Sequence, residues 1–364
     1  MKLTKAMFLL SCVLLAGDLA FASQTATHTG NDPSPDQANI EPPAVKLTFS
    51  PTKSPSNLPS SPVIINPILC NSGGTIFLQM LQPPEFRQRI IYAVTKEKVQ
   101  EFVAGSITSL QSVEVESIYP SDSQLAMLVQ AKDGTSHDET RRSRYYPYIA
   151  VFDLAGKFKH AIPLPETYSV SHIAVLDDDR YLVIAYDHSS GVARLELWNG
   201  DGEKVKTFDL PANRSGSAVD GDAGSREESI SSSRLLGEVN FTPYKDSVLV
   251  WRARSSDPIL EISTGGSVRE VPLQIPKGYV LADIVPANDR WVVHFRKTAI
   301  DSTKPSNLSD PVAYSYYDVR PSDGSLARRL NISGDTGIIA CESDGIYRSF
   351  KLDAQSKYVL LSTQ

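Results

Sequence analysis

From residue 63 onward the apolar residues come in short runs rich in Val, Ile, Leu and Tyr, separated by tight turns of Asp, Asn, Gly and Ser. No stretch keeps the three-to-four-residue spacing of an amphipathic helix, so the pattern predicts an all-β chain. One kind of turn recurs in "YPSDSQLAMLVQ" (from Tyr119), "LDDDRYLVIAY" (from Leu176), "TPYKDSVLVW" (from Thr242) and "PANDRWVVHF" (from Pro286). Asp and Asn suit these corners because their side chains bond the nearby backbone and tolerate left-handed geometry. A second kind follows each of them: "VFDLAGKFKHAIPLP" (from Val151), "LWNGDGEKVKTFDLP" (from Leu197), "EISTGGSVREVPLQIP" (from Glu261) and "YDVRPSDGSLARRLNI" (from Tyr317). These read as hairpins with Gly where a positive φ is needed.

Two hairpins make one four-stranded unit. The units fall at 66–105, 112–165, 171–211, 234–276 and 279–333, with a three-stranded remnant at 337–364. Four strands repeating every ~40–50 residues predict a β-propeller, here of six four-stranded blades. A sandwich has no need to repeat a paired hairpin. "ILCNSGGTIF" at 68–77 and "IACESDGIYR" at 339–348 match in kind position by position, as the inner hairpins of the first and last blades would. The remnant needs a fourth strand, since an unclosed ring leaves raw edges. "VKLTF" at 45–49 alternates like a strand and is expected to complete it, with 50–62 running from rim to axis. On this repeat pattern, 63–364 resembles the six-bladed propellers of exported bacterial proteins, the broad NHL-like group. No Trp-Asp dipeptide of the WD-repeat kind closes any unit.

The beginning of the chain adds a compartment. Lys2 and Lys5, an apolar run from Ala6 and the small-x-small site Ala20-Phe21-Ala22 read as a secretory signal peptide over 1–22. The rival lipoprotein reading at "LLSC" suffers from the short apolar stretch ahead of Cys12. Residues 23–62 are rich in Pro, Ser and Thr and read as an extended tether. The expected location is periplasmic or extracellular, with no membrane insertion. Of 36 basic and 42 acidic residues the signal holds Lys2, Lys5 and Asp18, so the remainder is one unit more negative than the formal −6. That balance offers no reason to expect a nucleic-acid partner. Signal removal leaves Cys70 and Cys341 on neighbouring blades. Packed sheets stand ~10 Å apart whereas a disulfide wants Cα atoms within ~7 Å, so two buried thiols are expected.

A propeller puts its 1–2 and 3–4 turns on one face and all other connections on the opposite face. The first set is short here; the second carries "QPPEFRQ", "KDGTSHDETRRSRYYPY", "KTAIDSTKPSNLSDPVAY" and "ANRSGSAVDGDAGSREESISSSR". Long connections gathered on one face suggest a binding face. Within it "RRSRYYPY" offers Arg141, Arg142, Arg144 and Tyr145, residue types that anchor interfaces.

Signatures of chemistry are missing: there is no G-x-S-x-G elbow, H-E-x-x-H, phosphate loop or Cys-x-x-Cys. Resemblance to propeller enzymes of the lactonase or sugar-dehydrogenase sort would place ligands and bases on inner strands. The polar candidates there are Glu114, Glu116, His172, Glu238, Asn240, Asp283 and Glu342, of which Glu116, His172, Glu238 and Asp283 are taken as axial binding candidates. Such oxygens could hold calcium, but they come from different heights along their strands and no family motif surrounds them, so a simply polar, wet channel is the preferred explanation and no cofactor is expected. The leading expectation is a non-enzymatic propeller that binds a protein, peptide or glycan through its loop-rich face. The alternative is a metal-dependent hydrolase or lactonase, or a sugar oxidoreductase, working in the axial channel.

Overall fold

The computed structural model describes residues 42–52, 63–81, 89–95, 98–104, 107, 111–132, 145–208, 239–285, 287, 289–297, 314–332, 339–352 and 358–363. The compact unit runs from Pro42 to Gln364. It is all-β, with no helix beyond a single 3-10 position among the described residues.

Six sheets follow one another along the chain. Blade I is β3 (Val63–Cys70), β4 (Ile76–Leu81), β5 (Arg89–Val94) and β6 (Val99–Phe102). Blade II is β7 (Gln111–Pro120), β8 (Gln124–Lys132), β9 (Tyr145–Asp153) and β10 (Phe158–Pro163). Blade III is β11 (Tyr168–Asp177), β12 (Arg180–Asp187), β13 (Val192–Asn199) and β14 (Lys204–Phe208). Blade IV is β15 (Val239–Tyr244), β16 (Ser247–Arg252), β17 (Ile259–Ser263) and β18 (Val268–Val271). Blade V is β19 (Tyr279–Val285), β20 (Trp291–Lys297), β21 (Tyr314–Val319) and β22 (Leu326–Ile332). Blade VI has β23 (Ile339–Ser343), β24 (Ile346–Leu352) and β25 (Tyr358–Thr363) from this end of the chain.

Every pairing inside these blades is antiparallel, and first strands meet first strands: β3 lies by β7, β7 by β11, β11 by β15, β19 by β23, and β23 by β3. That order closes a ring of six four-stranded blades, a β-propeller. Its cores lie between blades rather than in one centre. Phe77, Phe102 and Phe152 pack blade I on II, Trp291, Trp251 and Phe295 pack IV on V, and Leu78, Phe350 and Leu360 pack I on VI. This explains the run-like apolar strands. A middle strand such as β16 is sandwiched on both faces and buried throughout, whereas the outer strand β14 buries only Phe208 and carries Lys204 and Lys206 on its rim.

Closure involves both ends of the unit. β1 (Ala44–Leu47) adds a parallel fifth strand to blade V beside β22, and β2 (Phe49–Pro51) pairs antiparallel with β25 as the fourth strand of blade VI. The N-terminal segment thus closes the propeller as expected. Of the 45–49 stretch expected to complete blade VI only Phe49 does so; Val45 to Leu47 pair with blade V instead, and the chain changes sheets at Thr48. Leu47 is buried with Leu330, Tyr316 and Tyr347, tying this clasp to the blade V–VI core.

The cysteines overturn the sequence expectation. Cys70 and Cys341 are disulfide-bonded, with Cα atoms 5.8 Å apart. Two blade sheets diverge radially, so the ~10 Å spacing of stacked sheets applies at mid-blade, while the inner strands β3 and β23 converge well below it. The inner strands are also irregular. Register slips lie within 66–68 of β3, at Glu116 in β7, Ser171 in β11, Ala282 in β19 and Ala340 in β23. An inserted residue re-aims every side chain beyond it.

Candidate functional site

The strand directions place the connections between second and third strands, and those between successive blades, on one face of the ring. Arg141, Arg142 and Arg144 lie outside the described residues, as does Glu238 of the axial set. Tyr145 begins β9 on this loop-bearing face. Its side chain is exposed, and its hydroxyl donates to Glu114 Oε1 at 3.4 Å. Tyr314 begins β21 in the equivalent place of blade V, diametrically opposite, and is exposed as well. Each follows one of the two longest 2–3 connections. Both tyrosines stand at the first position of their strands, ahead of the buried stretch, so each ring stays in solvent.

The axial candidates do not gather into one site. Asp283 and Asn240 share a small cavity of about 30 Å³, lined mostly by blades IV and V with Leu69 of blade I and Ala340 of blade VI, room for a water. Glu116 is exposed on its bulge, and its carbonyl accepts from Arg89. His172 is half-buried, its Nδ1 3.0 Å from Ser171 Oγ, and burial lowers its pKa. Glu342 belongs to a buried clamp instead. Its Oε1 accepts from Gly345 N at 2.6 Å and lies 3.4 Å from Arg290, which also faces Asp318. Asp318 accepts from the Tyr347 hydroxyl at 3.0 Å and from Arg328, joining blades V and VI.

Asp283 has a neighbour that sequence reading missed. His294 stands opposite it in the β19–β20 ladder, Nδ1 3.9 Å from Asp283 Oδ2, and against the Tyr316 ring at 4.5 Å. Desolvation pushes the Asp283 carboxyl up to about 6, against one hydrogen bond from Ile284 N. Its side chain keeps 40 % of its accessible surface, because what surrounds it is channel wall rather than packed core. Desolvation pushes the His294 imidazole down to about 3. At neutral pH the pair is therefore a carboxylate beside a neutral imidazole. It can accept a proton, but among the described residues no serine, cysteine or lysine is hydrogen-bonded to either side chain. Nor does any group of three or more His, Cys, Asp or Glu among the described residues stand where it could hold one metal ion. His294 lies on a second strand, where an apolar run hides it; only the cross-strand register reveals the partnership.

A larger cavity, about 230 Å³, opens on the opposite, short-turn face. It is lined by the first turns of blades I to IV, including Ser72, Asp122, Asp178 and Asp246. Blades I and IV are not neighbours, so a space touched by both lies at the axis. Turn-to-turn bonds shape its rim: Ser72 Oγ donates to Asp122, and Ser123 Oγ donates to Asp178 at 2.5 Å. These turns were recognised in the sequence as repeated corners, but which of them converge is decided by ring closure.

No protein-family model matches the sequence, and no curated protein matches it. Among solved structures it is similar to a streptogramin B lyase at 12 % identity, over 87 % of this chain and 98 % of that one, with a TM-score of 0.40. It is similar to the Aleuria aurantia lectin, a six-bladed β-propeller, at 11 % identity over 75 % and 78 %, with a TM-score of 0.37. The Neurospora crassa Pan2 WD40 domain matches at 8 % identity over 88 % and 95 %, with a TM-score of 0.39. Likenesses this distant carry no argument about what the chain does; the blade count rests on its own strand order.

Proposed function

We propose that the chain is an exported, non-enzymatic β-propeller, of the broad NHL-like kind seen in exported bacterial proteins, that binds a protein, peptide or glycan through its loop-bearing face. The observation that carries this reading is topological. The hairpin corners of the short-turn face are held by tight backbone bonds such as Gly156 N to Asp153 O at 3.0 Å, while every long connection leaves from the other face. Two of those connections end in exposed tyrosines, Tyr145 and Tyr314, across the ring from one another. A rigid ring presenting variable loops is a common way to position a binding surface. The Pro-rich segment 23–62 carries the closing strands within it and serves as a tether ahead of them. The acidic balance of the chain argues against nucleic acid as partner, and no helix among the described residues is long and apolar enough to cross a membrane.

The test is a pull-down from the exported fraction with the intact chain and with 135–144 deleted. Partner recovery with the intact chain and its loss on deletion support the reading; equal recovery with both sinks it. The enzymatic reading draws support from one place, Asp283 beside His294. One tightly held calcium per purified chain, abolished by Asp283→Asn, would favour that reading over binding.

A further inference from the structure

We propose that the ligand of the loop-bearing face is a neutral carbohydrate, held in the cleft where blades II and III part. The inference rests on the reading of that face as the place of binding and adds the ligand class and the residues that take it. Strand register sets those residues on facing walls. Along β8 and β9, Gln130 and Tyr145 lie on the same sheet side as Leu128 and Ile149, which pack in the core shared with blade III. Glu114 joins them as the ladder partner of Gln130. Blade III turns towards them the side that carries Tyr181, whose hydroxyl accepts from Gln124 of blade II. Alternation along β12 brings Asp187 to that side, and the ladder adds Tyr168, Val192 and Arg194.

The chemistry of the two walls is balanced. Glu114 and Tyr145 are exposed, Gln130 and Arg194 half-buried. The Glu114 carboxylate accepts from the Tyr145 hydroxyl at 3.4 Å and keeps lone pairs to spare, while the Arg194 guanidinium donates to Ser190 Oγ at 3.3 Å and has further N–H groups to offer. Asp187 adds no free acceptor: Oδ1 takes Ser189 N and Oγ at 2.9 and 2.6 Å, and Oδ2 takes Ser190 Oγ at 2.8 Å. One acid, one base and the Gln130 amide, which both donates and accepts, suit an uncharged ligand that also does both. A row of hydroxyl groups is such a ligand.

A second observation is where the tyrosines stand. Tyr145, Tyr168, Tyr186, Tyr279 and Tyr314 lie at the loop-bearing ends of their strands and all keep exposed surface. Tyr119, Tyr181, Tyr244 and Tyr347 lie at the short-turn ends and are buried. The two rings of the cleft are also held by their hydroxyls, Tyr145 on Glu114 and Tyr168 on Glu196 Oε1 at 3.2 Å. A phenol anchored at its oxygen offers its carbon face, which is negative in its quadrupole and packs against weakly positive C–H groups. A pyranose has one such C–H face with hydroxyls around its rim, so it can meet the ring and the polar walls at once. A strand-like peptide would need an unpaired sheet edge instead, and the blade edges lie at the outer rim.

Calorimetric titration of the full chain with maltohexaose, cellohexaose, xylohexaose and N-acetylchitohexaose tests this, with trigalacturonate as a charged comparison. Tyr145→Ala and Glu114→Ala alter one wall, Arg194→Gln the other, and Glu270→Gln the remote outer strand β18. Tyr145 and Glu114 are exposed, so their variants should keep the melting temperature and remain readable whatever Arg194→Gln does to folding. The proposal expects at least one neutral hexasaccharide to bind, weakened at least fivefold by each cleft variant and less than twofold by Glu270→Gln. It is overturned if only trigalacturonate binds, if Tyr145→Ala and Glu114→Ala bind the sugar as the parent does, or if Glu270→Gln weakens it as much. It is also overturned if no sugar binds. Should a partner then still be recovered in a manner that depends on 135–144, the loop-bearing face stands and the carbohydrate assignment alone falls; should none be recovered, both fall.

Discussion

The Cys70–Cys341 bond makes the ring's closure measurable. It joins residues 271 apart in sequence, across the seam where the first blade meets the last. A cross-link over such a loop removes denatured-state freedom worth about 5–6 kcal/mol in the chain-entropy relation, an upper figure beside the 2–5 kcal/mol usually lost with a native disulfide. Unfolding entropy of about 2.1 cal/mol/K per residue over the Pro42–Gln364 unit converts each kcal/mol into roughly 1.5 °C. Replacing either cysteine by Ala should lower the melting temperature by about 4–8 °C. The double variant should fall only about 1–2 °C below either single variant, because each breaks the same bond and the second truncation adds only its own cavity. Both residues are fully buried against Ile76, Leu78 and Phe350, so each truncation adds its own cavity cost of about 1 kcal/mol. Differential scanning calorimetry of the three variants without reductant decides the matter. Single variants that each cost little and add in the double would show two independent buried thiols and refute the clasp.

The outer half of the closure makes its own prediction. Leu47→Ala, which empties a buried position between blades V and VI, should cost about 2–4 kcal/mol and several degrees of melting temperature, and an unchanged value would detach β1 from blade V. The Asp283–His294 pair predicts how stability responds to acid. His294 is depressed, so its folded form binds fewer protons than the unfolded one, and stability is lost as pH falls from about 6.5 toward 3. Asp283 is raised, so its contribution runs oppositely and is lost as pH rises from about 4 through 6. Asp283→Asn should therefore steepen the acid loss between pH 6 and 4 in urea titrations across that range, by well under the full ~1.4 kcal/mol per pH unit because its side chain is 40 % exposed and screened by solvent. A slope identical to that of the parent chain would show that Asp283 does not titrate there.

Much of the fold was legible because it repeats. A hairpin such as "LDDDRYLVIAY" carries its turn in its own residues, and four-stranded units recur with it, so strand count and blade order follow from local chemistry. What escaped depends on contacts between distant segments. Ala340 and Cys341 look like ordinary alternating residues; the bulge at Ala340 and the radial convergence of β23 on β3 turn them into half of a disulfide. Thr48 gives no sign that the chain changes sheets there. His294 sits in "WVVHFRK", which reads as plain core, until the register sets it opposite Asp283. Glu342 shows the reverse: its inner-strand position suggested the channel, yet Arg290 and the Gly345 amide draw it into the blade V–VI clamp.

The account rests on the loop-bearing face as the place of binding, and one comparison tests it directly. The partner recovered with the intact chain is titrated against Arg141→Ala, Arg142→Ala, Arg144→Ala and Tyr145→Ala combined, and separately against Asp289→Asn, which alters an exposed corner of the opposite face. Loop-tip changes usually cost little stability, so both proteins should melt within about 1–2 °C of the parent. The account predicts that the fourfold variant loses at least tenfold in affinity while Asp289→Asn binds as the parent does. Full affinity in the fourfold variant, with binding lost in Asp289→Asn, would place recognition on the other face.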